Sequence, residues 1–230
     1  MATFNGFPAE LFGFLRALAE NNNRDWFNDN KIDYEEFIVE PVTGFVTVIA
    51  TPLEAISQNF VADPRRSGGS MFRIYRDTRF SHDKRPYKTN VGCHFRHVAG
   101  KSAHAPGFYL HLQPGNVFVG AGIWKPDGPA LEKIRNAIVE YPDKWEAAFS
   151  DRQLWQRFGE IEGERLKRAP RGFDADHVHV EHLKMKSFFI HQSLDEALAT
   201  SPELIDEVIA AYTDSVPLVR FLTRAVGLAF

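Results

Sequence analysis

Ten basic residues crowd the stretch from Arg65 to Lys101, namely Arg65, Arg66, Arg73, Arg76, Arg79, Lys84, Arg85, Lys88, Arg96 and Lys101. Only Asp77 and Asp83 oppose them, a local charge of +8 in a chain of formal net charge −3. Arginine offers a planar fork of donors matched to phosphate or carboxylate, and lysine adds a point charge. Around Arg76, Arg79, Lys84 and Lys88 the hydroxyls of Thr78, Ser81 and Thr89 complete a donor-rich loop that reads as an anion cradle. The competing reading pairs Arg79 or Lys84 with Asp77 and Asp83 in a structural network. Exposed pairs of that kind stabilise little, so the charge asymmetry favours an anionic partner or substrate. A second basic loop, Gly163 to Phe173, carries Arg165, Lys167, Arg168 and Arg171 against Glu164 and is expected to close over the first.

Other chemistries are less well supported. Nine histidines include His177-x-His179-x-x-His182 and His94-x-x-His97, but neither spacing matches a metal-ligand set of defined geometry. No metal and no cofactor are therefore expected. Cys93 stands alone, which excludes an internal disulfide and a cysteine zinc cage, and there is no Gly-x-Ser-x-Gly elbow and no phosphate-binding glycine fingerprint. His111, His94 and Asp77 are left as acid or base candidates, with His111 the first choice for proton transfer.

The elements that must hold these groups are legible from periodicity. With 230 residues, 44% of them hydrophobic and twenty of them Phe, the chain can bury a sizeable core, and it is read as one globular domain over 1–230. Leu11, Phe12, Phe14, Leu15 and Leu18 repeat at helical spacing. A second helical pattern runs from about Asn23 to Ile56, with Pro41 and Pro52 as restarts or kinks. The period then falls to two over Met71 to Asp77, Asn90 to His97, Gly107 to Gln113 and Asn116 to Ile123, which predicts four antiparallel strands, with Ser187 to Ile190 as a fifth. Helices return from Pro129 to about Phe158 and close the chain over Pro202 to Leu228, interrupted near Pro217. The fold class is α+β: an antiparallel sheet of four to five strands flanked by N-terminal and C-terminal helices.

Alternation sorts the strand residues by face. Val91, Cys93, Phe95, Phe108, Leu110, Leu112, Val117, Val119, Ala121 and Ile123 share the core face. His94, Arg96, Tyr109, His111, Phe118, Gly120, Gly122 and Trp124 share the other, where Arg73 and Tyr75 are expected to join them as the floor for a flat or phosphorylated ligand. The alternative is that helices cover this face and the glycines admit their close approach.

Five separated blocks carry a family likeness: Asn22-Asn23-Arg24-Asp25-Trp26-Phe27 with Asn30-Lys31; Phe72 to Ser81 with Asp83-Lys84 and Pro86-Tyr87-Lys88-Thr89; Gly107 to Leu112; Gly120 to Pro126; and Leu166 to Phe173. Together they resemble the family catalogued as domain of unknown function 2461, over nearly the whole chain. The resemblance implies one full-length domain and transfers no role to any residue. Where that family carries lysine in a Ser-Lys-Asp-Lys motif, this chain has His82.

The first functional reading is a small phosphorylated or carboxylated anion. It is held by Arg73, Arg76, Arg79, Lys84, Lys88, Arg96, Lys167 and Arg168 over a floor shaped by Tyr75, Tyr109, His111 and Trp124. One alternative is a single-stranded nucleic-acid module stacking bases on the same face, against which stands a pI of about 6.3. Another is a protein-interaction domain with a basic docking patch. The start lacks a basic, then apolar, leader, and no window approaches the ~20 apolar residues of a membrane span, so cytoplasmic residence is expected.

Overall fold

The computed structural model describes residues 4–99 and 105–230, so Lys101 lies outside the described residues. Leu11, Phe12, Phe14, Leu15 and Leu18 form the buried stripe of α1 (Ala9–Glu20). Asn23 then caps α2 (Arg24–Asp29), its side chain accepting the Trp26 N–H at 2.9 Å. From there α3 (Lys31–Tyr34), a π-helical turn (Glu35–Val39) and α4 (Glu40–Ile56) follow as one helical rod. Pro41 has no N–H to give the Phe37 carbonyl, and the helix widens just ahead of it.

Contrary to the expectation from the sequence, the Lys31–Ile56 rod is long and apolar enough, by length and composition alone, to cross a membrane. Its stripe of Ile38, Val42, Phe45, Val46, Ile49 and Leu53 is spent in the hydrophobic core.

The sheet has five antiparallel strands in sequential order: β1 (Phe60–Val61), β2 (Val91–His97), β3 (Gly107–Leu112), β4 (Val117–Ile123) and β5 (Phe188–Leu194). Three of the predicted strands agree within a residue, and the fifth runs on to Leu194. The strand expected over Met71 to Asp77 is not formed. Its start touches β2 through the Met71–Cys93 bridge and a 2.9 Å bond from Phe72 N–H to Gly92 O, and its remainder turns away to pair with residues 86–88. The reason is local: β1 already occupies Arg96 and His97 on that edge of β2, and Pro86 has no N–H for a continued ladder.

Seven helices follow β4: α5 (Gly128–Glu140), α6 (Pro142–Phe149), α7 (Arg152–Phe158), α8 (Val180–Leu183), α9 (Glu196–Ala199), α10 (Leu204–Asp214) and α11 (Val216–Ala225), the first four before β5 and the rest after it. Asp127 and Asp151 cap α5 and α7, and the break anticipated at Pro217 separates α10 from α11. All ten residues assigned to the core face of β2, β3 and β4 are buried. Against that face pack α10 and α11, and α4 packs beside α10, with Phe45 meeting Phe95. Phe108 meets Tyr212 there at 4.8 Å between ring centroids. The architecture is α+β with helices at both ends, and among the described residues no helix lines the pocket on the second sheet face.

Candidate functional site

Strand register places His94 opposite Tyr109, Tyr109 opposite Gly120, His111 opposite Phe118 and Gly122 opposite Phe189. The glycines on this outer face are the positions over which neighbouring rings lie. A Cβ on Gly107 would fall 2.5 Å from His94 Nε2, one on Gly92 2.3 Å from the Tyr109 hydroxyl, and one on Gly120 2.6 Å from the Phe189 ring. Rings, not helices, are what the glycines admit.

The result is a pocket of about 420 Å³ lined mainly by Phe72, His94, Tyr109, His111, Phe118, Trp124 and Phe189. His111 stacks on Phe118 at 4.6 Å, Phe72 lies 5.9 Å from His94 and 6.1 Å from Tyr109, and Trp124 stands edge-on to Phe189 at 5.9 Å. Such a wall suits a flat, largely apolar body with a few polar edges.

Polar chemistry in the pocket is concentrated on one chain of bonds. The Tyr109 hydroxyl sits 3.1 Å from His111 Nδ1, and His111 Nε2 sits 3.1 Å from Gln113 Oε1. With the Gln113 oxygen as acceptor, His111 donates from Nε2 and accepts the Tyr109 O–H at Nδ1. Burial lowers the His111 pKa, and burial with the nearby Arg96 charge holds His94 down at about 4. Burial also pushes the Tyr109 phenol up. At neutral pH the pocket therefore presents two neutral imidazoles and a protonated phenol.

Beside it lies a second hollow of about 380 Å³ that shares His94 and is lined by Arg96, Ser70, Gly68 and Gly69. Arg96 donates to Gly69 O at 3.1 Å, while Asp63 on the same wall is held by Arg65 at 2.9 Å.

The predicted cation set is divided by the structure. Arg76 and Arg85 both bind Asp83 at 2.7 Å, and Arg79 binds Asp77 at 2.7 Å. The Arg79 guanidinium holds the Asp77 carboxyl down at about 2, and Arg85 with Arg76 holds Asp83 lower still than the usual range. Lys84 donates to Thr78 O and Lys88 to Arg73 O, each at 2.9 Å, and Lys88 also lies 5.3 Å above the Phe72 ring. Arg66 is paired with Glu35, an acid that only folding brings near. Lys167 and Arg168 are exposed on a loop that runs beside the start of β5 through the Arg165–Met185 bridge.

Neither basic loop contributes to the aromatic pocket. Tyr75 belongs to the arm that pairs with Tyr87, and Phe72 stands where Arg73 and Tyr75 were expected, because the Met71–Cys93 bridge sets the parity one residue earlier. Phe189 was also missed. Continuing the alternation from core-facing Ile190 would have placed it outward.

The His177, His179 and His182 rings follow one another at 5.8 and 5.9 Å. His182 accepts the Trp145 indole N–H at 3.1 Å, and burial with neighbouring cations holds its pKa at about 4. Among the described residues no three His, Cys, Asp or Glu side chains converge in a way that could hold a metal ion.

One family profile, described as a conserved hypothetical protein (DUF2461), matches residues 10–221 of the chain. No curated protein and no solved structure matches it.

Proposed function

The chain belongs to the DUF2461 family of conserved hypothetical proteins, and from that premise and the outer sheet face we propose that it binds a small, flat ligand bearing a phosphate or carboxylate. The observation that carries the reading is the sharing of His94 between the aromatic pocket and the Arg96 hollow. A ring stacks between Phe72, Tyr109, Phe118 and Trp124, and its anionic group crosses His94 to meet the Arg96 guanidinium. A neutral imidazole at the junction lends a hydrogen bond without a competing charge. The arginines of the Arg76 to Lys88 loop contribute less, since an incoming anion there must displace Asp77 or Asp83 from its arginine. His111 acts by positioning the Tyr109 hydroxyl, with both of its ring nitrogens already engaged. Cytoplasmic residence is proposed alongside this reading, and the lone buried thiol of Cys93 is compatible with it.

The test is a titration followed by tryptophan fluorescence and thermal shift, using nucleoside monophosphates, aromatic carboxylates, inorganic phosphate and short oligonucleotides. A flat anion should bind saturably, and Arg96→Ala should weaken it at least about tenfold, the value of one hydrogen bond to a charged group. Arg79→Ala should leave affinity unchanged. The reverse pattern would overturn the reading.

A second reading has its own observation. Ring neighbours run without a break from Phe72 through Tyr109 and Phe118 to Phe189 and Trp124, from the arm before β2 across β3 to β5. That platform suits stacked bases of a single strand. Preference for oligonucleotides over monophosphates, with affinity falling steeply as salt rises, would select it.

A further inference from the structure

One group of cations without a carboxylate partner lies together on the helical layer. There α5, α6 and α11 pack on one another and enclose an open groove of about 610 Å³. Its rim carries Lys133 from α5, Lys144 from α6, and Arg220 and Arg224 one turn apart on α11. Lys144 lies 4.4 Å over the Tyr141 ring, Arg220 4.9 Å over Phe230, and Lys133 reaches only the Val226 carbonyl at 3.5 Å. Among the described residues none of the four is paired with a carboxylate. Glu140, the acid in the lining, is turned to accept the Tyr141 hydroxyl at 2.6 Å. This differs from the Arg65 to Arg85 segment, where five arginines are each held by an aspartate or glutamate.

Between the cations the floor is apolar and low, made by Ala137, Ala148, Phe221 and Ala225. A lone phosphate at any one cation would rest on methyl groups, with no convergent set of donors around it. An elongated partner with one apolar and one acidic side satisfies both parts of the surface. The α5 wall of 13 residues is about 20 Å long at ~1.5 Å per residue, enough to seat about three to four turns of a helix. Alanines along the floor let a second backbone come close, and cations on three sides set its orientation.

We propose that the α5–α6–α11 groove docks an acidic amphipathic helix of a partner protein, its apolar face on the alanine and Phe221 floor and its carboxylates against Lys133, Lys144, Arg220 and Arg224. The surface is separate from the aromatic pocket and does not depend on what that pocket holds.

The probe is a fluorescein-labelled, side-chain-stapled helical peptide of 14 residues, with Leu and Ala at i, i+3, i+4 and i+7 and Glu at the flanking positions. A control has the same composition shuffled to destroy the apolar face. Anisotropy on the full chain should show binding by the amphipathic peptide that weakens as salt rises, and at least about tenfold weaker binding by the shuffled one. Lys144→Glu and Arg224→Glu should each reduce affinity about tenfold or more with melting temperature unchanged. Arg79→Glu, at a cation outside the groove, should not. Equal binding of both peptides, or indifference to the two groove reversals, would overturn the proposal. So would competition by short polyphosphate stronger than by unlabelled peptide, which would assign the groove to a free polyanion. Concentration-dependent self-association lost in the same two variants would assign it to a second copy of the chain and overturn the proposal equally.

Discussion

Tyr212 illustrates how a single group can be out of keeping with its surroundings. Its ring is fully buried between Phe108 and Phe95, and its hydroxyl has no hydrogen-bond partner among the described residues. Burial pushes the phenol pKa well above 10, so the group stays a desolvated O–H. Removing the oxygen removes that cost. Tyr212→Phe should therefore raise stability by about 1 kcal/mol in urea unfolding, and a loss of that size would show that the hydroxyl is satisfied. The opposite case is Arg157, whose guanidinium binds Asp214 at 2.6 Å, Gln192 at 2.9 Å and also Glu207. Arg157 sits in α7 and its partners in β5 and α10, so nothing in its neighbourhood along the chain announced the network. The charge of the basic segment is offset in part from just outside it and in part from a remote helix. Asp63 and Glu35 fall outside the window that scored +8, and they neutralise Arg65 and Arg66.

The outer sheet face is an arrangement of elements more than of residues, since its rings lie over glycines supplied by the neighbouring strand. Gly122 is the most constrained of them. It has φ +123, and a Cβ there would fall 2.1 Å from the Phe188 backbone carbonyl in β5. Because the clash is with backbone, relief requires shifting the strand. Gly122→Ala should cost about 2–4 kcal/mol, the range for a strained backbone combined with overpacking. Gly115→Ala, at a turn with φ +72 and open space, should cost only about 1 kcal/mol. Chemical denaturation compares the two directly, and equal losses would mean that the β4–β5 edge relaxes freely. The face assignment of β2 to β4 was readable because alternation is a property of each strand alone. The arm at Met71 was misread because a period-two pattern reports extended backbone and says nothing of whether an edge is available to pair with.

Across the whole molecule, one hydrophobic core joins α1, α4, the sheet, α5, α6, α10 and α11, so local titrations bear on global stability. His94 and His182 are each held near pH 4 against an ordinary value of 6.5. Between those values the unfolded chain takes up protons that the fold refuses, so stability is full above about 6.5 and falls as pH drops towards about 4. Asp63 and Asp77, with lowered values, add a further loss only below their ordinary 3.8. Melting temperature measured from pH 7 to 4 should decline through that histidine window, and His94→Gln with His182→Gln should flatten it. An unchanged slope in the double variant would place the acid sensitivity elsewhere. Periodicity and strand faces were determined by the sequence itself, because each depends on residues a few positions apart, and family membership was legible in five sequence blocks. How Arg66 and Arg157 are neutralised, which rings meet across β2 to β5, and that a cationic groove opens between α5, α6 and α11 were decided only by the tertiary structure. Those features depend on segments tens of residues or more apart that meet only when the core closes, whereas the Asp63–Arg65, Asp77–Arg79 and Asp83–Arg85 pairs lie two residues apart in the chain.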